Sequence, residues 1–267
     1  MTAQLRRTDD FGGLEMLSAS LSAFEFRPHA HEEFFLAVTD RGLVTPTYRG
    51  RSHAIGPGEL IVLNPEEPHA GGPPPGVRWT YRALYLRPEL VRAVVSGVPR
   101  FAGDVVRDPQ VAAGLRRYHR LGHQPGSDPL AREEQLAATL ARLVRYAAAP
   151  VAERVGREPA AVRRSRDHLE AYAHERVTLA ELARCAGLSP YHLCRVFHAA
   201  VGMTPHAYQT QVRVRRAKAM LRAGQPIPQV AAEAGFYDQA HLNRHFKLIV
   251  GVTPGQFRRG CAGPRRG

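Results

Sequence analysis

The sequence predicts a two-domain α+β protein. An N-terminal antiparallel β-barrel is followed by helices, then by an all-α C-terminal domain with two helix-turn-helix motifs joined by a long helix. Three observations carry this. The tail of the 267-residue chain states one pattern twice. Residues 14–90 break into short β-type runs separated by Gly and Pro turns. The positive charge gathers at one end: residues 1–162 hold 20 Lys and Arg against 18 Asp and Glu, whereas residues 163–267 hold 17 against 6. A basic domain joined to a near-neutral one is the electrostatic footprint of nucleic-acid binding at one end only.

A hydrophobic content of 44% is ample for packed cores, and no apolar run approaches the roughly 18 residues of a membrane span. The start, MTAQLRRTDDFGG, lacks an apolar signal region. Cys185, Cys194 and Cys261 form no paired spacing. Together these predict a cytoplasmic chain without structural disulfides and without a membrane partner.

In the tail, Gly187 matches Gly235 at an offset of 48, and Leu193, Phe197, Gly202, Thr204 and Pro205 match Leu242, Phe246, Gly251, Thr253 and Pro254 at 49. The offset grows by one inside the turn, where the second copy carries an extra residue. Each copy reads as a helix, a Gly-containing turn and a second, capped helix, the layout of a helix-turn-helix. Thr178 with Glu181 makes a capping box, and Ser189 with Pro190 starts the second helix. Leu193 and Phe197, four apart, face inward; Tyr191 and Arg195 lie opposite, flanked by Cys194 and His198. In the second copy Asp238 caps, Leu242 and Phe246 face inward, and Ala240 and Arg244 face outward beside His241 and Lys247. Arg can donate two hydrogen bonds to guanine, Gln can pair with adenine, and small apolar groups can touch a thymine methyl. The candidate DNA contacts are therefore Tyr191, His192, Cys194, Arg195, His198, Gln239, Ala240, His241, Arg244 and Lys247. Between the copies, Thr204–Pro205 starts and Gly224 stops a helix of about 19 residues, roughly 28 Å long. Such a spacer suits two reading helices placed about one DNA turn apart.

The pattern A-x-x-x-G-(L/F), then L-x-R-x-F or L-x-R-H-F-K, then G-x-T-P-x-x-(Y/F) closely resembles the AraC/XylS family of bacterial transcription regulators over about residues 163–259. The resemblance implies that the helices near 190–199 and 239–248 are the recognition helices. It places Tyr191, Cys194 and Arg195, and Gln239, Ala240 and Arg244, at groove-facing positions. Cys194, a poor hydrogen-bond donor, departs from what a reader needs.

In the first half, the order H-x-H, G-P-G-E-L-I-V-L-N-P and P-H resembles the cupin-type effector-binding domain fused to this family. His29, His31 and Glu33 share a period-2 face, and His69 follows. These four fit the lining of a small-ligand pocket, closed by Trp79, Tyr81 and Arg82 on a later strand. The same set also fits a metal site, since imidazoles with a carboxylate bind Fe, Mn, Ni or Zn. The expectation is pocket lining without metal or other cofactor, for a polar or anionic small-molecule effector. The resemblance further implies that the N-terminal arm, residues 1–13, folds over that pocket. Asp108–Pro109 and Asp128–Pro129 each start a helix, and Leu136, Leu140 and Leu143 form a seam that suits either packing on the barrel or a dimer contact.

The expected organisation is an effector-binding domain over 1–149, with its helical region at about 104–149. A linker over 150–162, a DNA-binding domain over 163–260 and a basic tail over 261–267 follow. The functional expectation is a non-enzymatic, homodimeric regulator of promoter DNA, commonly an activator engaging RNA polymerase. The alternative is a metal-dependent cupin enzyme or metal sensor fused to a DNA-binding domain.

Overall fold

The computed structural model describes residues 2–95, 99–101, 105–148 and 159–261. The described residues form two compact units: one holds residues 2–25 and 30–148, the other residues 26–29 and 159–261.

The chain opens with strands β1 (Thr2–Thr8), β2 (Leu14–Leu21), β3 (Phe26–His29), β4 (Phe34–Arg41), β5 (Thr45–Tyr48) and β6 (Arg51–Ser52), all in the first unit except β3, which is grouped with the second. The first unit continues with β7 (Leu60–Leu63), β8 (His69–Gly72), β9 (Trp79–Leu86), helix α1 (Pro88–Val95), β10 (Arg100–Phe101) and β11 (Val105–Val106). Helices α2 (Pro109–His123) and α3 (Pro129–Leu143) and the short β12 (Ala147–Ala148) complete it. Six strands form one sheet in the order β1-β2-β9-β4-β7-β11, and four form another, β3-β8-β5-β6. Pleat alternation sends Leu14, Met16, Leu36, Val38, Leu84 and Leu86 to one face, where they join the apolar side of α2 and α3 in one buried cluster. Residues between them, including Glu15, Phe35, Tyr81 and Tyr85, take the other face.

Both helix starts follow the sequence. Asp108 accepts hydrogen bonds from the N–H groups of Gln110 and Val111, Asp128 accepts from that of Leu130, and Pro follows each cap. The leucine seam does not serve a second chain. Leu136 is 0% exposed, and Leu140 and Leu143 lie beside it in the core beneath the sheet. Side chains already removed from solvent within one chain offer no surface to a partner, so the assignment of these three to a dimer contact is corrected.

The N-terminal arm is not a flap. Residues 2–8 are β1, paired antiparallel with β2 from Thr2↔Ser20 to Thr8↔Leu14. Asp10 then fastens it: its carboxylate, 2% exposed, accepts two hydrogen bonds from the Arg132 guanidinium and one from the Tyr118 hydroxyl.

His119, wholly buried, donates through Nε2 to the Ala83 carbonyl at 3.2 Å, while its Nδ1 is buried without a partner. Burial, helped by the nearby Arg82 charge, pulls its pKa down to about 3. The unfolded chain binds a proton near pH 6.5 that the folded one refuses. This residue's contribution to stability is therefore constant above about pH 6.5 and falls steadily as pH drops toward 3. Urea melts of His119→Leu across that window are expected to show a shallower acid decline than the parent. Parallel curves would refute the assignment.

The second unit holds α4 (Ala160–Ala171), α5 (Leu179–Ala186), α6 (Pro190–Val201), α7 (Pro205–Arg222), α8 (Ile227–Glu233), α9 (Gln239–Val250) and α10 (Pro254–Cys261). The expected linker falls largely outside the described residues, but its end is helical. Pro159 stands at the N-cap of α4, where a missing N–H costs nothing. Val162, Leu169, Leu182, Leu193, Phe197 and Val212 build one small core across α4–α7. Val230, Leu242, Phe246, Val252 and Phe257 are buried in the second half, with the Phe246 and Phe257 rings edge-on at 5.4 Å. The long α7 touches α4 and α6, and also α8, α9 and α10. At 18 residues it spans roughly 27 Å. Its buried side is Tyr208, Val212, Val214, Ala217 and Leu221.

Some of the basic residues serve the fold. Arg213 donates to the carbonyls of Ala173 and Glu175 just beyond α4, and Arg164 to those of Cys185 and Ala186 at the end of α5. Each neutralises the negative end of a helix, as cations do there.

Candidate DNA-reading surface and effector face

The two helix-turn-helix units are built alike. Helix α5 starts on the Thr178–Glu181 capping box, with both reciprocal hydrogen bonds made, and ends on Gly187 at φ 69°. The matching turn residue, Gly235, has φ 84°, and a Cβ there would fall 2.6 Å from the His174 backbone, so no other residue fits. The reading helices follow. Ser189 Oγ accepts from the His192 N–H at 3.3 Å to start α6, and Asp238 Oδ1 from the His241 N–H at 2.6 Å to start α9. Both helices end on a glycine with positive φ, Gly202 and Gly251. Leu193 and Phe197, and Leu242 and Phe246, are fully buried and fix each helix on its support.

None of the ten candidate DNA contacts is buried. Tyr191, 77% exposed, stands with His192, Arg195 and His198 on the open side of α6, and Cys194 is half-buried at its margin. On α9, Gln239, Ala240 and Arg244 are exposed, and His241 and Lys247 partly so. Arg195 and Arg244 occupy the same place relative to their caps and buried pairs. The sequence reading passed over Tyr237, the extra residue of the second copy, which is 92% exposed. With Asp238, Ala240, His241 and Arg244 it lines an open hollow of about 500 Å³. The one-residue growth of the repeat offset was the available signal. The Tyr237 N–H donates to His241 Nδ1 at 3.3 Å, which puts the proton of the neutral ring on Nε2. Partial burial and then the Arg244 charge lower the His241 pKa.

His29 is buried on β3, which is grouped with the second unit; in the first unit Glu33 is buried and His31 and His69 are partly exposed. His31 and His69 are brought together, their ring centroids 4.9 Å apart. Burial lowers the His29 pKa to about 4, so its ring is neutral at neutral pH. Trp79 and Tyr81 stack with centroids 3.8 Å apart, and Trp79 Nε1 donates to Thr39 Oγ1 at 3.1 Å. Both are buried on the sheet face away from the helices. Arg82 is not with them: alternation turns it to the opposite face, where it pairs with Asp40 at 2.7 Å. Its expected role in closing the pocket is corrected. One residue that the sequence reading missed belongs to the inner face. Tyr85 lies in register with Glu15 on β2 and Phe35 on β4. Burial, then Tyr81, Glu15 and Glu33, push its hydroxyl well above the usual range. The alternation W-T-Y-R-A-L-Y, continued past Tyr81, would have found Tyr85.

Residues 11–140 match the AraC-like ligand-binding domain and residues 182–260 match a helix-turn-helix domain. The arabinose operon regulatory protein of Escherichia coli K12 is 27% identical over 264 residues, covering 93% of this chain and 89% of that protein. The HTH-type transcriptional regulator Rv1931c of Mycobacterium tuberculosis is 30% identical over 183 residues, 68% of each chain. The chain belongs to the AraC family of transcriptional regulators. It therefore carries a ligand-binding domain N-terminal to a DNA-binding domain. Among solved structures, ToxT of Vibrio cholerae shares the two-domain fold, with a TM-score of 0.56 at 11% identity over 94% of this chain and 99% of that one. Among the described residues no helix is long and apolar enough to cross a membrane.

Proposed function

We propose that α6 and α9 enter successive major grooves of one promoter site. In this reading Arg195 and Arg244 donate to base edges, while Tyr191, His192, Cys194, His198, Gln239, Ala240, His241 and Lys247 complete the two contact surfaces. The observation that carries it is the duplicated geometry: two helices with equivalent caps, equivalent buried Leu–Phe pairs and an exposed Arg at the same position. A helix of roughly 27 Å between them suits reading heads about one turn, roughly 34 Å, apart. The inner face of the first unit, with His31, Glu33, His69, Trp79 and Tyr81, takes a small polar effector; His29, on β3, is grouped with the second unit and is left out of that face. That effector controls DNA binding through its different affinity for the regulator's two states. The chain acts in the cytoplasm, without catalysis, as a dimer whose contact excludes Leu136, Leu140 and Leu143. It activates by engaging RNA polymerase beside its site.

Arg244→Ala, and separately Arg195→Ala, is expected to weaken binding to the cognate site by about 1–3 kcal/mol and to relax base preference at one position. Gel-shift titrations against the site and against single-base variants measure this. An equal loss on every sequence would assign the arginine to phosphate and contradict the reading.

A further inference from the structure

The six-stranded sheet carries a hollow that neither the DNA-reading helices nor the inner face uses. Strand register lines up Gln4, Ser18 and Arg82 in one row, and Thr2, Ser20 and Thr80 in the next. Pleat alternation puts both rows on the face of Met16 and Leu84, opposite Trp79 and Tyr81. Along β2 that face changes from Leu14 and Met16, buried in the core, to the half-buried Ser18 and Ser20; along β9 it changes from Leu86 and Leu84 to Arg82 and Thr80. His123, the last residue of α2, and Asp40 complete the wall of an open hollow of about 450 Å³, within the size range of small-molecule sites. All of these residues belong to the first unit.

The hollow offers donors and lacks an acceptor. Asp40 is already satisfied: Oδ2 accepts from Arg82 Nε and Oδ1 from Arg116 Nε, each at 2.7 Å. Arg82 spends only Nε there, so its two terminal amino groups have no partner among the described residues. Neither the Gln4 amide nor the Ser18 hydroxyl makes a side-chain hydrogen bond among them. The Ser20 and Thr80 hydroxyls lie 3.1 Å apart, and whichever accepts keeps its own hydrogen to give. Charge points the same way. Arg82 and Arg116 share the single carboxylate of Asp40. Burial, then the Arg6 and Arg82 charges, hold the His123 pKa below its usual 6.5.

We propose that this hollow binds one small hydroxylated organic anion, of the sugar-acid or sugar-phosphate class, as a second ligand of the first unit. The acid group accepts from the terminal N–H groups of Arg82 and from a ring N–H of His123, the charge-assisted contacts that anions make with guanidinium and imidazole. The ligand's hydroxyls meet Gln4, Ser18 and the Ser20–Thr80 pair. The inference does not rest on the effector reading, because the hollow lies across the sheet from Phe35 and Tyr85 and from the His31 ring packed on them.

Calorimetry on the full chain uses gluconate, glucose 6-phosphate, inorganic phosphate and glucose as probes. One equivalent of a sugar anion is expected, with inorganic phosphate and neutral glucose each weaker by about 10-fold or more, the worth of a hydrogen bond to a charged group. Arg82→Gln and His123→Ala should each weaken the sugar anion by a similar factor. His31→Ala, across the sheet, should leave its affinity unchanged. Binding should also move the NMR titration of the His123 ring to higher pH, because the anion offsets the two guanidinium charges. Should Arg82→Gln misfold, Ser18→Phe fills the hollow with Asp40 still paired and is expected to abolish binding. The proposal is overturned by no binding of either sugar anion at millimolar concentration, or by inorganic phosphate or glucose binding as tightly. Binding that survives Arg82→Gln, His123→Ala and Ser18→Phe, or that is lost in His31→Ala, overturns it equally.

Discussion

Asp10→Ala is expected to cost about 3–5 kcal/mol, because it leaves a largely buried guanidinium without its counter-charge. The carboxylate holds Arg132 by two hydrogen bonds and Tyr118 by a third, and Tyr118 also meets Thr8 of β1 at 3.2 Å. One residue thus ties the first strand to both helices. Burial pushes the Asp10 carboxyl up, but the Arg132 and Tyr118 hydrogen bonds outweigh it and hold the group below its usual 3.8. The stabilisation is therefore full above the unfolded carboxylate value and lost as pH falls through the lower folded one. Urea unfolding of the parent and variant at pH 7, repeated in acid, measures both parts. A loss below 1 kcal/mol at pH 7 would show that the pair is replaceable.

Leu136→Ala is expected to cost about 2–5 kcal/mol, the usual range for emptying a fully buried leucine site. The same sequence feature would behave differently as a dimer contact. A core leucine destabilises equally at every protein concentration; an interface leucine lowers the association constant and makes the melting temperature depend on concentration. Melts of the variant over a hundredfold concentration range separate the two. Since Leu136 belongs to one buried cluster with Leu84, Leu115 and Leu140, a uniform loss is the expected result.

These cases show where sequence was sufficient and where it was not. The caps at Asp108, Asp128, Thr178, Ser189 and Asp238 were legible because a cap is local: one side chain serves an N–H two or three residues away. The two reading helices were legible because duplication separates a requirement from chance. The leucine seam was ambiguous for a physical reason. Steps of 4 and 3 define an apolar stripe but not what covers it, and here the cover is the core of the same chain, chiefly the apolar side of α2. Arg82 and Tyr85 were misplaced or missed because face assignment in a strand reverses with each residue. Arg164 and Arg213 look like DNA-facing charges in a basic run, yet their partners are carbonyls 21 to 40 positions away in the chain. Tyr237 left only a one-residue slip in the repeat.

The central claim is a pair of reading heads set one helical turn apart on a single chain. Hydroxyl-radical and methylation-interference footprinting of the purified protein on the promoter of its own and adjacent genes tests it most directly. The account predicts two interference clusters at guanines about 10 base pairs apart on one face of the duplex, with the α9 cluster lost in Arg244→Ala and the α6 cluster lost in Arg195→Ala. A single cluster that either substitution abolishes whole, or protection no greater on the promoter than on bulk competitor DNA, would contradict it.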